Sequence, residues 1–399
     1  MPTPVRRPRL VVLSPFVDKR HGTERCVAEQ IERLAGVYEI HLYSSRVEDV
    51  DLTGITWHRV PALPGPHLFA YLWWLCANYF FRWWDRKIKL LQPDVTFSPG
   101  VNCLDADLVS VHIVFGKLRR DLRDDLRLKN NPIKEWPVIL HRRLYYELLS
   151  RLERVVYGRK KGVLAPVSRK TGRDIFEFYG RSANITVINN GVDTIRYSPV
   201  RRLQLRAPAR VALNLGPDVC GILLIGNGWR NKGLPCLLEA AALIKDRPLH
   251  LLIVGNDSAA PYKEAIRRLG LTGAIDFLPP RPDVEFYYAA ADVYASPSIE
   301  DAFPLPPLEA MACGLPVITS RSAGGPSEFI RQGEDGLVLE DPTDAKTLSA
   351  WLGRLAGDAH WRDRLGAAAA GTAAQYTWDR NSAQLQQVID SLIKSKIRT

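Results

Sequence analysis

The sequence lacks the side-chain spacings of a metal or disulfide protein. Its six cysteines (26, 76, 103, 220, 236 and 313) never fall closer than 16 positions, and no Cys-x-x-Cys occurs. The eight histidines form no His-x-His or His-x-x-x-His pair. A structural zinc is therefore not expected, and the thiols read as reduced and mostly buried, as in a cytosolic protein. A secretory signal is also missing: residues 1–9 are basic and carry proline, and the apolar run Leu10–Leu13 is too short for a signal core and reads as a first strand. The chain is expected to stay in the cytoplasm. With 46% apolar and 24% charged residues, neither disorder nor a collagen-like repeat fits, and 399 residues suggest two domains.

Charge is lopsided. Residues 1–200 hold 32 Lys+Arg against 21 Asp+Glu, whereas residues 201–399 hold 22 of each. The first half thus implies an anionic partner: a phosphorylated acceptor, an anionic membrane face or nucleic acid. No recognised nucleic-acid module or recognition helix accompanies the charge, so no nucleic acid is expected as partner.

Strand-like and helical segments alternate. In the first half the strand candidates are Arg9–Pro15, Tyr38–Tyr43, Asp94–Ser98, Leu108–His112, Gly162–Val167 and Ile185–Asn189, with a helix running to about Ala35. Residues 194–210, with two prolines and five arginines, read as a linker. Beyond it come strands at Gly221–Gly226, His250–Gly255, Ile275–Leu278, Val293–Ser296 and Val317–Thr319, a helix at Leu308–Cys313, and a helical tail from Asp344 to Lys396. This order predicts two Rossmann-like, doubly wound α/β domains facing a cleft. Their expected bounds are 1–198 and 199–378, with a C-terminal helix, 379–399, returning to the first domain.

One segment departs from a plain soluble domain. Residues 68–84 contain four tryptophans (73, 74, 83, 84) and are followed by Arg86, Lys87 and Lys89. Only 14 residues precede the first charge, Arg82, short of the ~20 a membrane span needs. The aromatic and cationic pattern suits either an interfacial helix at a lipid headgroup boundary or a core helix.

Two stretches carry chemistry. In Pro297–Ile318 an acidic loop leads into a helix start, with Asp301 and Glu309 separated by seven residues. Free N–H groups at such an entry bind phosphate, and carboxylates there accept sugar hydroxyls; Glu309 also fits a plain helix-start acid. In Ile225–Leu234 a strand end meets a glycine loop with Arg230 and Lys232. Asn231 occupies the third glycine of a dinucleotide fingerprint, so the cations point to a diphosphate rather than nicotinamide. Gly22 would let backbone approach a phosphate, or is an ordinary turn glycine. His112, at a strand end, fits a catalytic or a structural role. Asp105-Ala-Asp107 has the form of a metal-binding pair but reads as chance.

Together these residues resemble a retaining glycosyltransferase of the GT-B fold, glycosyltransferase family 4. The most specific match is Glu309-Ala-Met-Ala-Cys-Gly-Leu-Pro-Val317. Asn189–Asp193 with Tyr197 is similar to the family's crossover between domains, His21–Arg25 to its N-terminal glycine loop, and Tyr376–Asp379 to the return of its last helix. The resemblance implies that Glu309 holds the donor ribose, Asp301 contacts the donor sugar, Lys232 grips the diphosphate, Gly22 lines its acceptor side and His112 lies near the reacting sugar. Glu300, Phe303 and Leu305 complete the donor-binding set, with Arg230. It also implies no metal and no cofactor beyond a nucleotide-diphosphate sugar as co-substrate. Retention would proceed by front-face attack on a lipid-linked or polysaccharide acceptor, at the cytoplasmic face of the inner membrane. Three departures stand out: Asp301 replaces the usual Glu, with Glu300 beside it. Pro304 replaces a glycine, and Asn227 replaces an arginine. The open alternatives are a sugar-nucleotide epimerase, a phosphorylase, and a scaffold that keeps the fold with weakened turnover.

Overall fold

The computed structural model describes residues 6–397 apart from 21, 125, 131, 160 and 246. His21 of the expected glycine loop therefore lies outside the described residues. The chain divides into two compact units, residues 1–189 with 378–399, and residues 190–377. Residues 190–198, expected in the first domain, group with the second.

The first unit runs β1 (Arg9–Leu13), β2 (Phe16–Val17), α1 (Gly22–Leu34), β3 (Glu39–Ser44), β4 (Arg46–Val47) and β5 (Ile55–Arg59). It continues with α2 (His67–Ile88), β6 (Val95–Pro99), β7 (Leu108–Val111), α3 (Phe115–Asp121), α4 (Trp136–Tyr157), β8 (Val163–Pro166) and α5 (Arg169–Tyr179). Its parallel six-stranded sheet has the order β5-β3-β1-β6-β7-β8. Strands buried on both faces read as continuous apolar runs, as in Leu10–Leu13.

The second unit holds α6 (Pro199–Ala212), β9 (Cys220–Ile225), α7 (Leu234–Ala242), β10 (Leu249–Val254), α8 (Lys263–Arg268), β11 (Ile275–Leu278), α9 (Glu285–Ala290) and β12 (Val293–Ala295). Then come α10 (Leu305–Ala312), β13 (Val317–Ser320), α11 (Pro326–Phe329), β14 (Leu337–Leu339), α12 (Ala345–Gly357) and α13 (Ala359–Ala373). Its sheet order, β11-β10-β9-β12-β13-β14, repeats that of the first. The last helix, α14 (Trp378–Ile397), packs on α1: the Asn381 and Gln30 side chains bond at 2.9 Å, and Tyr38 donates to Asp390 at 2.6 Å.

Three expectations need correction. The linker at 194–210 is mostly the helix α6. Ser198 caps it by accepting the Arg201 N–H, and Pro199 fits its first turn. Arg202, Arg206 and Arg210 recur every four residues, so they share a face and bond the 289–292 segment, including Asp292 and the Ala291 carbonyl. Residues 185–189 form no strand; they follow β8 with a single isolated bridge, Leu164 to Ile185. Gly22 opens α1 rather than lying in a loop.

Candidate functional site

In the order 3-2-1-4-5-6 the crevice for a ligand opens where the first and fourth strands lie side by side, outside their carboxyl ends. In the second unit those strands are β9 and β12, paired through Val293–Ile222 and Tyr294–Leu223. The loops that leave them, 226–233 and 296–304, contain seven of the nine residues singled out from sequence or lead directly to them.

The two loops are stitched together. The Ile299 N–H donates to the Asn231 carbonyl at 2.7 Å, and the Asn231 side-chain amide donates to the Glu300 carbonyl at 2.7 Å. Gly233 has φ +84°, and a Cβ there would stand 2.1 Å from the Pro297 carbonyl oxygen, so only glycine lets the loops meet. The stem of Lys232 lies over Gly226, and its Nζ forms an ion pair with Asp301 Oδ2. Asp301 Oδ1 accepts the Phe303 N–H at 3.2 Å, which fixes the carboxylate. The Phe303 ring is buried against Gly325, where a Cβ would come within 2.5 Å of it. Arg230 is exposed on the same loop, and Glu300 is half-buried beside Asp301.

Helix α10 begins at Leu305, one turn earlier than expected, because proline is tolerated in a first helical turn. Glu309 therefore sits in the second turn. It is 5% exposed and accepts the Tyr288 hydroxyl at 2.8 Å. Burial, with Glu309 next in effect, holds the Tyr288 phenol well above its ordinary pKa, so this donor keeps its proton. The early helix start also changes the supply of N–H donors. Proline occupies the N-cap (304) and positions 306 and 307, and the Phe303 N–H is taken by Asp301. Leu305 is the one residue among 304–307 that carries a backbone N–H, so this helix start offers few amides to an anion.

Sequence reasoning missed Asp257. Its carboxylate accepts the N–H groups of Gly228 (3.1 Å) and Trp229 (2.7 Å) and so fixes the loop bearing Arg230. Trp229 pins the same loop from beneath, its ring 4.9 Å from that of Phe277. An acid two residues beyond the glycine that ends a strand is a detectable signal. Tyr288 left none, since only the fold brings it to Glu309.

The first unit places Gly22 and His112. Gly22 is exposed, and a Cβ there would meet nothing within 4 Å, so the fold of this unit does not itself require glycine. His112 follows β7, and burial alone pushes its imidazole down to about 4, which keeps it neutral at pH 7. Its Nε2 is buried without a hydrogen-bond partner. Asp105 is committed to a two-pronged ion pair with Arg82 at 2.9 Å, and Asp107 accepts the Thr96 N–H.

Helix α2 is mixed on its inward face and largely apolar on its outward one. Its inward face buries Trp74 with Asn78, Arg82 and Asp85, the two charges held by Asp105, His58, Tyr43 and Lys89. Its outward face exposes Phe69, Leu72, Trp73, Tyr79, Phe80, Trp83, Trp84 and Ile88. No helix among the described residues is long and apolar enough to cross a membrane.

Comparison with known proteins supplies the family. The Glycosyltransferase Family 4 profile matches residues 20–196, and the Glycosyl transferases group 1 profile matches residues 210–371. The chain belongs to family 4 of the GT-B glycosyltransferases. One relative, a D-inositol 3-phosphate glycosyltransferase of Corynebacterium urealyticum, is 34% identical over 55% of this chain and 54% of its own length. The chain thus spans about half the length of the relatives it matches. Two solved GT-B structures share the fold. WaaG, a glycosyltransferase involved in lipopolysaccharide biosynthesis, has TM-score 0.74 and 17% identity over 95% of this chain and 98% of its own. Anabaena Alr3699/HepE in complex with UDP-glucose has TM-score 0.67 and 18% identity over 96% and 99%.

Proposed function

We propose that the protein transfers a sugar, with retention, from a nucleotide-diphosphate sugar to a hydroxyl of a lipid-linked or polysaccharide acceptor, in lipopolysaccharide, exopolysaccharide or glycolipid assembly. The observation that carries this reading is the pair of stitched loops at the β9/β12 switch point, which brings Lys232 and Asp301 together. In this reading Lys232 and Arg230 neutralise the leaving diphosphate, the work a metal does elsewhere, so no metal is needed. Asp301 and Glu300 take the donor sugar, Phe303 and Leu305 wall it, and Glu309 takes the ribose. Gly22 leaves open space for a phosphate to approach backbone. Neutral His112 offers its unpartnered Nε2 to a hydroxyl of the reacting sugar, a role that needs no proton transfer. The UDP-glucose held by HepE and the inositol 3-phosphate named for the relatives support a sugar nucleotide and a polar acceptor. The outward aromatic face of α2, ending in Arg86, Lys87 and Lys89, fits contact with an anionic membrane surface at the cytoplasmic face of the inner membrane.

The test is thermal stabilisation by a panel of nucleoside diphosphates and nucleotide sugars without added metal, followed by product analysis. One base that raises the melting temperature with concentration, and an α-glycoside from an α-linked donor, are the expected results. The second reading, a scaffold with weakened turnover, is favoured by the prolines at 304, 306 and 307. It moves forward if nucleotide sugars bind without transfer or hydrolysis, and no binding at all removes the donor site.

A further inference from the structure

Glu153 in α4 is fully buried, and no part of the proposed chemistry uses it. Its Oε1 accepts the Phe115 N–H at 3.0 Å; its Oε2 accepts the Gly116 N–H at 3.1 Å and the Tyr179 hydroxyl. The N-cap residue of α3 is Val114, which offers no capping side chain. A carboxylate from a different helix therefore satisfies the first amides of α3 and ties α3 to α4 and α5. Three residues, His112 to Val114, separate this clamp from the end of β7. The loop bearing His112 is thus fixed at one end by the sheet and at the other by Glu153. Since His112 Nε2 has no partner of its own, no hydrogen bond at that nitrogen orients the ring, which leaves the loop to aim it.

We propose that Glu153 is a positioning residue for the transfer reaction: its ionised carboxylate holds the start of α3 and so sets the direction of His112. This rests on the reading of His112 given above. Burial outweighs the three hydrogen bonds and pushes the carboxyl up to about 7. The groups that face it do not titrate there. Tyr71 on α2, Tyr157 on α4 and Tyr179 on α5 are all held above the ordinary phenol value, first by burial and also by the charge of Glu153. On α3, Lys117 pairs with Asp121 at 2.9 Å. When Glu153 takes a proton, one oxygen becomes a donor and turns against the N–H and O–H groups it had accepted. The clamp then opens although the fold tolerates the neutral acid better. Between the ordinary carboxylate value and about 7, acidification raises the Glu153 contribution to stability while it loosens His112.

The experiment uses the full chain labelled with ¹³Cε1-histidine, the His112 signal being identified by its loss in His112→Gln. In the wild type this signal should move with a midpoint near pH 7, although the imidazole itself stays neutral. Glu153→Gln should remove that midpoint and hold the signal near its acid-side position throughout. Tyr179→Phe, which deletes one hydrogen bond to the carboxylate, should move the midpoint upward, and this variant decides the matter if Glu153→Gln fails to fold. A His112 midpoint that survives Glu153→Gln, or is unmoved in Tyr179→Phe, overturns the proposal. The His112 reading fails separately: His112→Gln that releases UDP from UDP-glucose at the wild-type rate removes that histidine from the reaction, with the Glu153 coupling intact.

Discussion

Lys232 and Asp301, 69 positions apart in sequence, form an ion pair across the loops that leave β9 and β12. Each side chain is mostly buried, so the pair orders both loops before any ligand arrives. A diphosphate must compete with Asp301 for the lysine. Asp301→Asn should therefore bind UDP more tightly than the wild type, by several-fold, while turnover falls by at least ten-fold because the sugar contact proposed for Asp301 is lost. Lys232→Ala should lower UDP affinity by ten-fold or more. It also strips the ion-pair partner from a mostly buried carboxylate, a loss of about 1 kcal/mol. Calorimetric titration with UDP checks both; weaker binding in Asp301→Asn would show that the two residues cooperate rather than compete.

Glu309 and Tyr288 call for a gentler substitution than alanine. The carboxylate is buried in the second turn of α10, so Glu309→Ala opens a hole and leaves the phenol only its longer bond to the Pro306 carbonyl at 3.3 Å, confounding fold with function. Glu309→Gln keeps shape and can still accept from Tyr288. It should melt within a few degrees of the wild type and lose turnover by about a hundred-fold, the scale of a lost charge-assisted hydrogen bond. Tyr288→Phe should cost about 1–3 kcal/mol of stability by removing the phenol donor from a buried carboxylate. Wild-type turnover in Glu309→Gln would take the residue out of the donor site.

Why some features were legible and others not follows from what each leaves in the chain. Parallel strands covered on both faces are apolar runs, so Leu10–Leu13 and Ile222–Leu224 announced themselves. Helix α6 was hidden because its packing face is arginine: Arg202, Arg206 and Arg210 look like a solvated tract until carbonyls and Asp292 are there to receive them. The start of α10 was hidden by prolines that break a helix interior but suit its first turn. The loops carrying Lys232 and Asp301 were found from glycine and charge at strand ends. Tyr288, Glu153 and the orientation of α2 depend on contacts between distant segments, which no spacing records.

His112 sets a pH dependence whose sign is fixed. Its folded pKa lies near 4, below the ordinary value of 6.5, so its contribution to stability is whole above pH 6.5 and is lost as pH falls toward 4. The difference between wild type and His112→Gln should shift by about 2–3 kcal/mol between pH 8 and 4.5, with the wild type losing the more. Urea unfolding at the two pH values measures it. A constant difference would mean that the imidazole is solvated and titrates normally.

The tryptophans of α2 separate a membrane surface from a core helix. Trp74 is 3% exposed, whereas Trp83 and Trp84 are each 46% exposed and Trp73 42%. Replacing all four would mix two effects, so the informative variants are distinct. Trp74→Ala should cost about 3–5 kcal/mol, the usual loss for a buried aromatic, and should unfold or strongly destabilise the first unit. The triple change of Trp73, Trp83 and Trp84 to Ser removes outward apolar surface and the Trp73 N–H bond to the Pro61 carbonyl at 2.7 Å, and should lower the melting temperature far less than Trp74→Ala. It should also release the protein from vesicles containing anionic lipid in a flotation assay. Because Arg86, Lys87 and Lys89 follow the aromatic face, wild-type binding should weaken as salt rises from 0.05 to 0.5 M, over which the screening length falls from roughly 14 to 4 Å. Unaltered flotation of the triple variant would assign the aromatic face to a protein or saccharide partner instead, with the helix still correctly placed on the surface.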